Sequence, residues 1–323
     1  MTVASRIRCH DYLAWIGCLI FAACNAPSSS GKEDLAAVAR DGGTATTFPD
    51  LVFRTIGGKT LAGDLYLPAA NGSFPVVVVI HGGGFQTGDK AGKSEITWAE
   101  ELIANGFAAF SINYRLVKDF SNGEVPFPSP LHDTKCAIMW LRKNAGTYHL
   151  DKTHVFVFGS SAGGWFTNML GATGDEPSLN PECPLGEGES NRVQGAVTYF
   201  GPSDFNALFS DPARQGSENG ETGFLGTGSP CTNPAESSGI CTTASPTHWI
   251  DANDPPYYIT HSDDDPTVPV SQGRLMSSLL KSAGVDVTYH EVTGEGHGWH
   301  AKFISPVVAQ VRDEVLAWLK ARK

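Results

Sequence analysis

Residues Val155-Phe156-Val157-Phe158-Gly159-Ser160-Ser161-Ala162-Gly163-Gly164 decide how this chain folds. Val155 to Phe158, four apolar residues bounded by glycine, describe a strand. The small residues that follow describe a tight turn, and 162–171 then carries helical spacing. Val76 to Ile80 is an apolar run without polar alternation, which describes a strand covered on both faces, as in a parallel sheet flanked by helices. Working outward, six more strand candidates follow: Leu51 to Ile56, Leu61 to Leu67, Ala108 to Asn113, Ala196 to Phe200, Tyr257 to Thr260 and Val287 to Glu291. Helical spacing fills 95–105, 131–145, 272–283 and 306–321, the last through Val307, Val311, Val315 and Leu319. Strands alternating with helices predict one α/β domain over 46–323. From Phe205 to His248 the pattern fails among clustered Gly, Ser, Thr, Pro and Asn. An excursion that long in a compact domain is usually functional, so 205–248 is expected to be a loop-rich insertion near the site.

The ends and the composition set the context. Residues 1–24 carry Arg6 and Arg8 and then an apolar run from Tyr12 to Ala23, the pattern of a secretory signal. Phe21-Ala22-Ala23-Cys24 resembles a bacterial lipobox, which predicts a lipid on Cys24 as the sole membrane attachment, and residues 25–45 read as a flexible tether. The expected location is therefore the cell envelope, with secreted or periplasmic protein as the alternative. The 323 residues hold 23 Lys and Arg against 34 Asp and Glu, a net charge of −11, which argues against nucleic acid as a partner. Of seven cysteines, four lie beyond the leader and Cys24. Cys231 and Cys241 are close in a Gly/Ser/Pro-rich loop, and an oxidising compartment favours a disulfide between them. Cys136 lies in a helical pattern and reads as a small buried hydrophobe unless Cys183 reaches it. No Cys-x-x-Cys or paired-His spacing points to a metal site.

Four motifs carry the chemistry, each following a strand candidate. Gly159-Ser160-Ser161-Ala162-Gly163 puts a serine on a strand-to-helix turn whose small flanks allow neighbouring backbone to pass close, marking Ser161 as nucleophile. A plain serine N-cap is the alternative. His81-Gly82-Gly83-Gly84-Phe85 lets main-chain N–H groups turn toward developing negative charge. A simple turn or a phosphate cradle would also use such glycines, but neither phosphate-loop pattern occurs here. In His261-Ser262-Asp263-Asp264-Asp265-Pro266, Asp263 and Asp264 read equally well as solvated surface, while Asp265, held extended by Pro266, suits an acceptor for an imidazole. Gly294-Glu295-Gly296-His297-Gly298-Trp299-His300 sets His297 between glycines as general base, with His300 as its fallback. Phe85, Trp165 and Trp299 adjoin these elements and are candidates for the substrate pocket, with core packing as the competing role.

The motifs, together with Asn113-Tyr114-Arg115-Leu116, resemble the α/β-hydrolase esterases related to hormone-sensitive lipase, in particular the bacterial feruloyl-esterase-like branch, over about residues 46–323. The order Ser161, Asp265, His297 is the order of that fold. The resemblance implies an eight-stranded, mostly parallel sheet flanked by helices and an oxyanion hole from the amides of Gly83, Gly84 and Ala162. Ser160 stands where many relatives carry Asp, and 25–45 lacks the amphipathic period of the N-terminal cap of the lipase-like members. The expected activity is that of a serine carboxylesterase on short-chain or aromatic esters, including hydroxycinnamoyl or acetyl groups on plant polysaccharide. It needs no metal or organic cofactor, and a monomer is expected. The competing readings are an amidase or arylformamidase, a peptidase of the same fold, and a non-catalytic surface-binding lipoprotein.

Overall fold

The computed structural model describes residues 45–121, 123–228, 230–231, 239–303 and 305–323. The expected leader, the lipid on Cys24 and the tether as far as residue 44 lie outside the described residues. Eight strands are described: β1 Thr46–Ile56, β2 Lys59–Leu67, β3 Phe74–Ile80, β4 Ala108–Ile112, β5 Leu150–Ser160, β6 Gly195–Tyr199, β7 Tyr257–Ser262 and β8 Val287–Val292. Among the described residues nine α-helices accompany them: α1 Lys93–Ala104, α2 Ser129–Lys143, α3 Ala145–Tyr148, α4 Ala162–Ala172, α5 Phe205–Ser210, α6 Asn219–Leu225, α7 Ile240–Thr243, α8 Ser271–Ser282 and α9 Pro306–Lys320.

The strands form one sheet in the order β1-β2-β4-β3-β5-β6-β7-β8, antiparallel from β1 through β2 to β4 and parallel from there on. The unbroken run in β3 serves two cores at once. Val76, Val78 and Ile80 face α2, α4 and α8, through side chains such as Leu131, Phe166 and Met276. Val77 and Val79 face α1 and α9, through Trp98, Leu102, Val311 and Leu319. Register Val76↔Val155 to Ile80↔Gly159 brings the ends of β3 and β5 side by side, so the glycine loop and the serine turn emerge together at the carboxyl edge.

β1, β5 and the insertion depart from the expected pattern, β5 beginning at Leu150 rather than Val155. β1 begins at Thr46 rather than Leu51, because its first half is an edge strand paired to β2 across a register shift at Pro49 and Asp50, where proline costs no ladder bond. The stretch 205–248 is not loop throughout. It contains α5, α6 and α7, and Phe205, Leu208, Phe224, Leu225 and Ala244 are buried in the core beside α4. Disulfides join Cys231 to Cys241 within this insertion and Cys136 of α2 to Cys183.

Candidate active site

The serine turn is built by close approach. Ser161 sits between β5 and α4 with φ 55° and ψ −121°, a conformation that strains a residue bearing a side chain. A methyl group on Gly163 would run into the carbonyl oxygen of Ile80, and one on Gly159 into that of Gly163. Glycine at 163 lets the turn press against the end of β3, and glycine at 159 lets the start of α4 close on β5.

Three side chains from separate loops meet at this turn. Ser161 Oγ lies 3.0 Å from His297 Nε2, and His297 Nδ1 lies 2.7 Å from Asp265 Oδ2. Asp265 is 3% exposed, and its Oδ1 accepts the backbone N–H of Thr267 and Val268 at 2.9 and 3.0 Å. Burial pushes its carboxyl up, but the imidazoles of His261 and His297 outweigh that and hold it well below the usual carboxylate range. An ionised Asp265 accepts Nδ1–H of His297, which leaves the Nε2 lone pair toward the Ser161 hydroxyl. The fully buried His261 stands behind this carboxylate, with Nε2 3.6 Å from Asp265 Oδ2 and 2.7 Å from the Val268 carbonyl.

The glycine loop follows β3. Gly83 and Gly84 take φ of 111° and 58°, and the Gly83 carbonyl accepts N–H from Gln86 and Thr87 at 3.1 Å each, closing the turn. Among the described residues the Gly83 and Gly84 amides donate to no backbone or side-chain acceptor. Ala162 opens α4, so its N–H is one of those a helix leaves without an internal acceptor. Tyr114 braces the loop from beneath: its hydroxyl donates to the His81 carbonyl at 3.0 Å and its ring stacks on His81 at 4.3 Å. Arg115 in turn is held by the buried Asp133, which accepts from its Nε and Nη2 and from Arg54.

Ser161, Ala162, Gly83, Gly84, Phe85 and His297 line one cavity of about 480 Å³. Trp165 and Trp299 do not line it, contrary to the sequence expectation. Trp165 is fully buried, packs edge-on to Phe85 and Phe224, and donates its indole N–H to the Ala244 carbonyl at 2.8 Å. Trp299 is fully buried on the opposite side of the sheet, 5.2 Å from the ring of Tyr199. Both stand beside reacting groups in sequence, but each side chain follows the apolar face of its own turn into a core. His300, the fallback base, pairs with Ser160 rather than Ser161.

Other cavity residues carry no local motif. Phe200 lies just past β6 with φ 39° and packs edge-on to His297 at 4.7 Å; its place beyond a parallel strand is the signal that marks it. The insertion contributes Ser217, Gly220 and Glu221. Asp263 and Asp264 are more than solvated surface: they accept the backbone N–H of Gly294 and Gly296 at 2.9 and 2.8 Å, fixing the loop that carries His297. Among the described residues no cluster of three or more His, Cys, Asp or Glu is placed to hold a metal ion.

A mostly parallel eight-stranded sheet with a serine turn after β5 and its histidine beyond β8 is the α/β-hydrolase fold. The chain belongs to the BD-FAE family, whose model matches residues 63–280. It is similar to Esterase LipQ of Mycobacterium tuberculosis, 25% identical over 252 residues, 77% of this chain and 56% of that protein. Esterase LipC of the same organism is 28% identical over 226 residues, 70% of this chain and 53% of that one. The chain thus spans about half the length of these curated relatives. A solved truncated carbohydrate esterase from gut microbiota superposes with a TM-score of 0.75 at 22% identity, covering 89% of this chain and 99% of that one, a likeness of fold.

Proposed function

We propose that this protein is a serine carboxylesterase acting on short-chain or aromatic esters, including acetyl and hydroxycinnamoyl groups on plant polysaccharide. The observation that carries the reading is the continuous line Asp265, His297, Ser161, at 2.7 and 3.0 Å, ending on a strained turn beside the unengaged amides of the glycine loop. In this reading Ser161 Oγ attacks the ester carbonyl while His297 Nε2 takes its proton. Asp265 keeps the imidazole in the required tautomer and offsets the charge of the imidazolium. Gly83, Gly84 and Ala162 donate N–H to the oxyanion. His297 then protonates the departing alcohol, and water, activated by the same imidazole, releases the acid from the acyl-enzyme. The cavity of about 480 Å³ falls within the roughly 300–1,000 Å³ of small-molecule sites. Similarity to LipQ and LipC supports ester hydrolysis, and the carbohydrate esterase of like fold supports a sugar-borne substrate.

The test is hydrolysis of p-nitrophenyl esters from acetate to decanoate, methyl ferulate and acetylated xylan, with Ser161→Ala as control. The reading expects turnover of short or hydroxycinnamoyl esters that the control abolishes. Folded protein inactive on every ester, but active on amides or formamides, overturns it.

The same proposal sets the protein outside the cytoplasm as a lipid-anchored monomer of the cell envelope, held through Cys24. The two disulfides support it, since such bonds persist in oxidising compartments. Membrane fractionation of wild type and Cys24→Ser, followed by size-exclusion chromatography, tests it; a Cys24→Ser protein that stays with the membrane contradicts it.

A further inference from the structure

The segment that carries His297 has a second tie to the serine turn, one residue before the nucleophile and three residues after the base. Ser160 Oγ lies 3.0 Å from His300 Nε2, alongside the bond between Ser161 and His297. Ser160 is 4% exposed and His300 8%, and both border the cavity. Burial, with the nearby His297 second, pushes the His300 imidazole down to about 3, so the ring is neutral under any working condition. A neutral imidazole has one N–H, and His300 Nδ1 is buried without a partner. A stranded donor is the rarer defect in proteins, which assigns the proton to Nε2, donating to Ser160 Oγ.

The backbone around His297 needs such a tie. Gly296 and Gly298 flank it with φ of 65° and 74°, and nothing stands within 4 Å of where a side chain on either would begin. Upstream, Ser262 Oγ and Asp264 accept the N–H groups of Glu295 and Gly296 at 3.0 and 2.8 Å. Downstream of Gly298, the packing of Trp299 and the bond from His300 take that part. His300 also lies against Phe200, 5.2 Å between rings, and Phe200 in turn packs on His297 at 4.7 Å.

We infer that His300 and Ser160 form a positioning pair that registers the histidine loop against the serine turn, keeping His297 Nε2 within hydrogen-bond reach of Ser161 through the catalytic cycle. The inference rests on the esterase reading and deepens it. Neither side chain exchanges a proton with substrate, and their effect passes through His297. A base displaced by about 1 Å costs up to about 100-fold in rate, so loss of the pair is felt in kcat.

The experiment measures kcat and KM on p-nitrophenyl acetate for wild-type protein, Ser161→Ala, Ser160→Ala, His300→Leu, His300→Gln and the double variant Ser160→Ala/His300→Leu. Expected are kcat values roughly 10- to 100-fold lower for Ser160→Ala and His300→Leu with KM within about twofold of wild type. The double variant is no slower than the worse single one, because the two residues act as a unit. His300→Gln, whose amide still donates to Ser160, recovers most of the lost kcat. Unchanged kcat in Ser160→Ala, or losses that multiply in the double variant, overturn the inference while the esterase reading stands. Should His300→Leu fail to fold, Ser160→Ala and His300→Gln decide the outcome alone. Inactive wild type overturns both.

Discussion

At the scale of residues, Asp265 separates orientation from charge. Its carboxylate receives four groups, the N–H of Thr267 and Val268, His297 Nδ1 and, at 3.6 Å, His261 Nε2. Asp265→Asn keeps the size but offers His297 an amide, and the wrong tautomer results. A fall in kcat of about 10⁴ is expected, with the fold retained, as read by circular dichroism and steady-state kinetics; a loss under tenfold contradicts the role. Acid stability follows from two shifted groups. His300 is held neutral, so below about pH 6.5 the unfolded chain binds a proton that the native chain refuses until about pH 3, and stability falls across that window. Asp265 is depressed in the folded state, so below about pH 4 the unfolded chain again binds more protons and the loss deepens. Denaturant midpoints at pH 8, 6, 5 and 4 should decline in that order, a flat series contradicting the His300 assignment, and a further fall from pH 4 to pH 3 is expected from Asp265, whose absence would contradict the depressed carboxyl. Ser161, Asp265 and His297 were legible because each lies in a loop just past a strand, within a local motif. Asp263 and Asp264 were not, because the amides they hold lie 31 and 32 residues downstream.

At the scale of elements, buried parallel strands read clearly because both faces are apolar, which is why β3 and β5 stand out and the edge half of β1, with Pro49, does not. The helices of the insertion run from four to seven residues, too short for periodicity to show, and tertiary contacts hold them. Phe224 of α6 stacks on Phe85 at 4.2 Å, and Trp165 of α4 packs edge-on to both. This cluster joins the insertion to the back of the glycine loop. Trp165→Ala is expected to cost about 3–5 kcal/mol of stability, measured by denaturant unfolding, while KM stays near wild type. A changed KM at unchanged stability would return Trp165 to the pocket wall.

At the scale of the molecule, the site is assembled from loops after β3, β5, β7 and β8, all at one edge of one sheet, so the order of strands brings distant motifs together. The disulfides secure the periphery. Cys136 and Cys183 are 47 residues apart in sequence and Cys231 and Cys241 ten, which corresponds to about 4 and about 3 kcal/mol of unfolded-state entropy. Cys136→Ser/Cys183→Ser is therefore expected to lower the unfolding free energy by about 1 kcal/mol more than Cys231→Ser/Cys241→Ser. The reverse order in urea melts would show that the insertion, not the α2 region, limits stability. The central claim, that the geometry around Ser161 makes it the nucleophile, is tested most directly by covalent labelling. Protein treated with a fluorophosphonate is digested and the modified peptide sequenced by mass spectrometry. The account predicts a single adduct on Ser161, lost in Ser161→Ala and kept in Ser160→Ala. An adduct on Ser160, or none on folded protein, would contradict it.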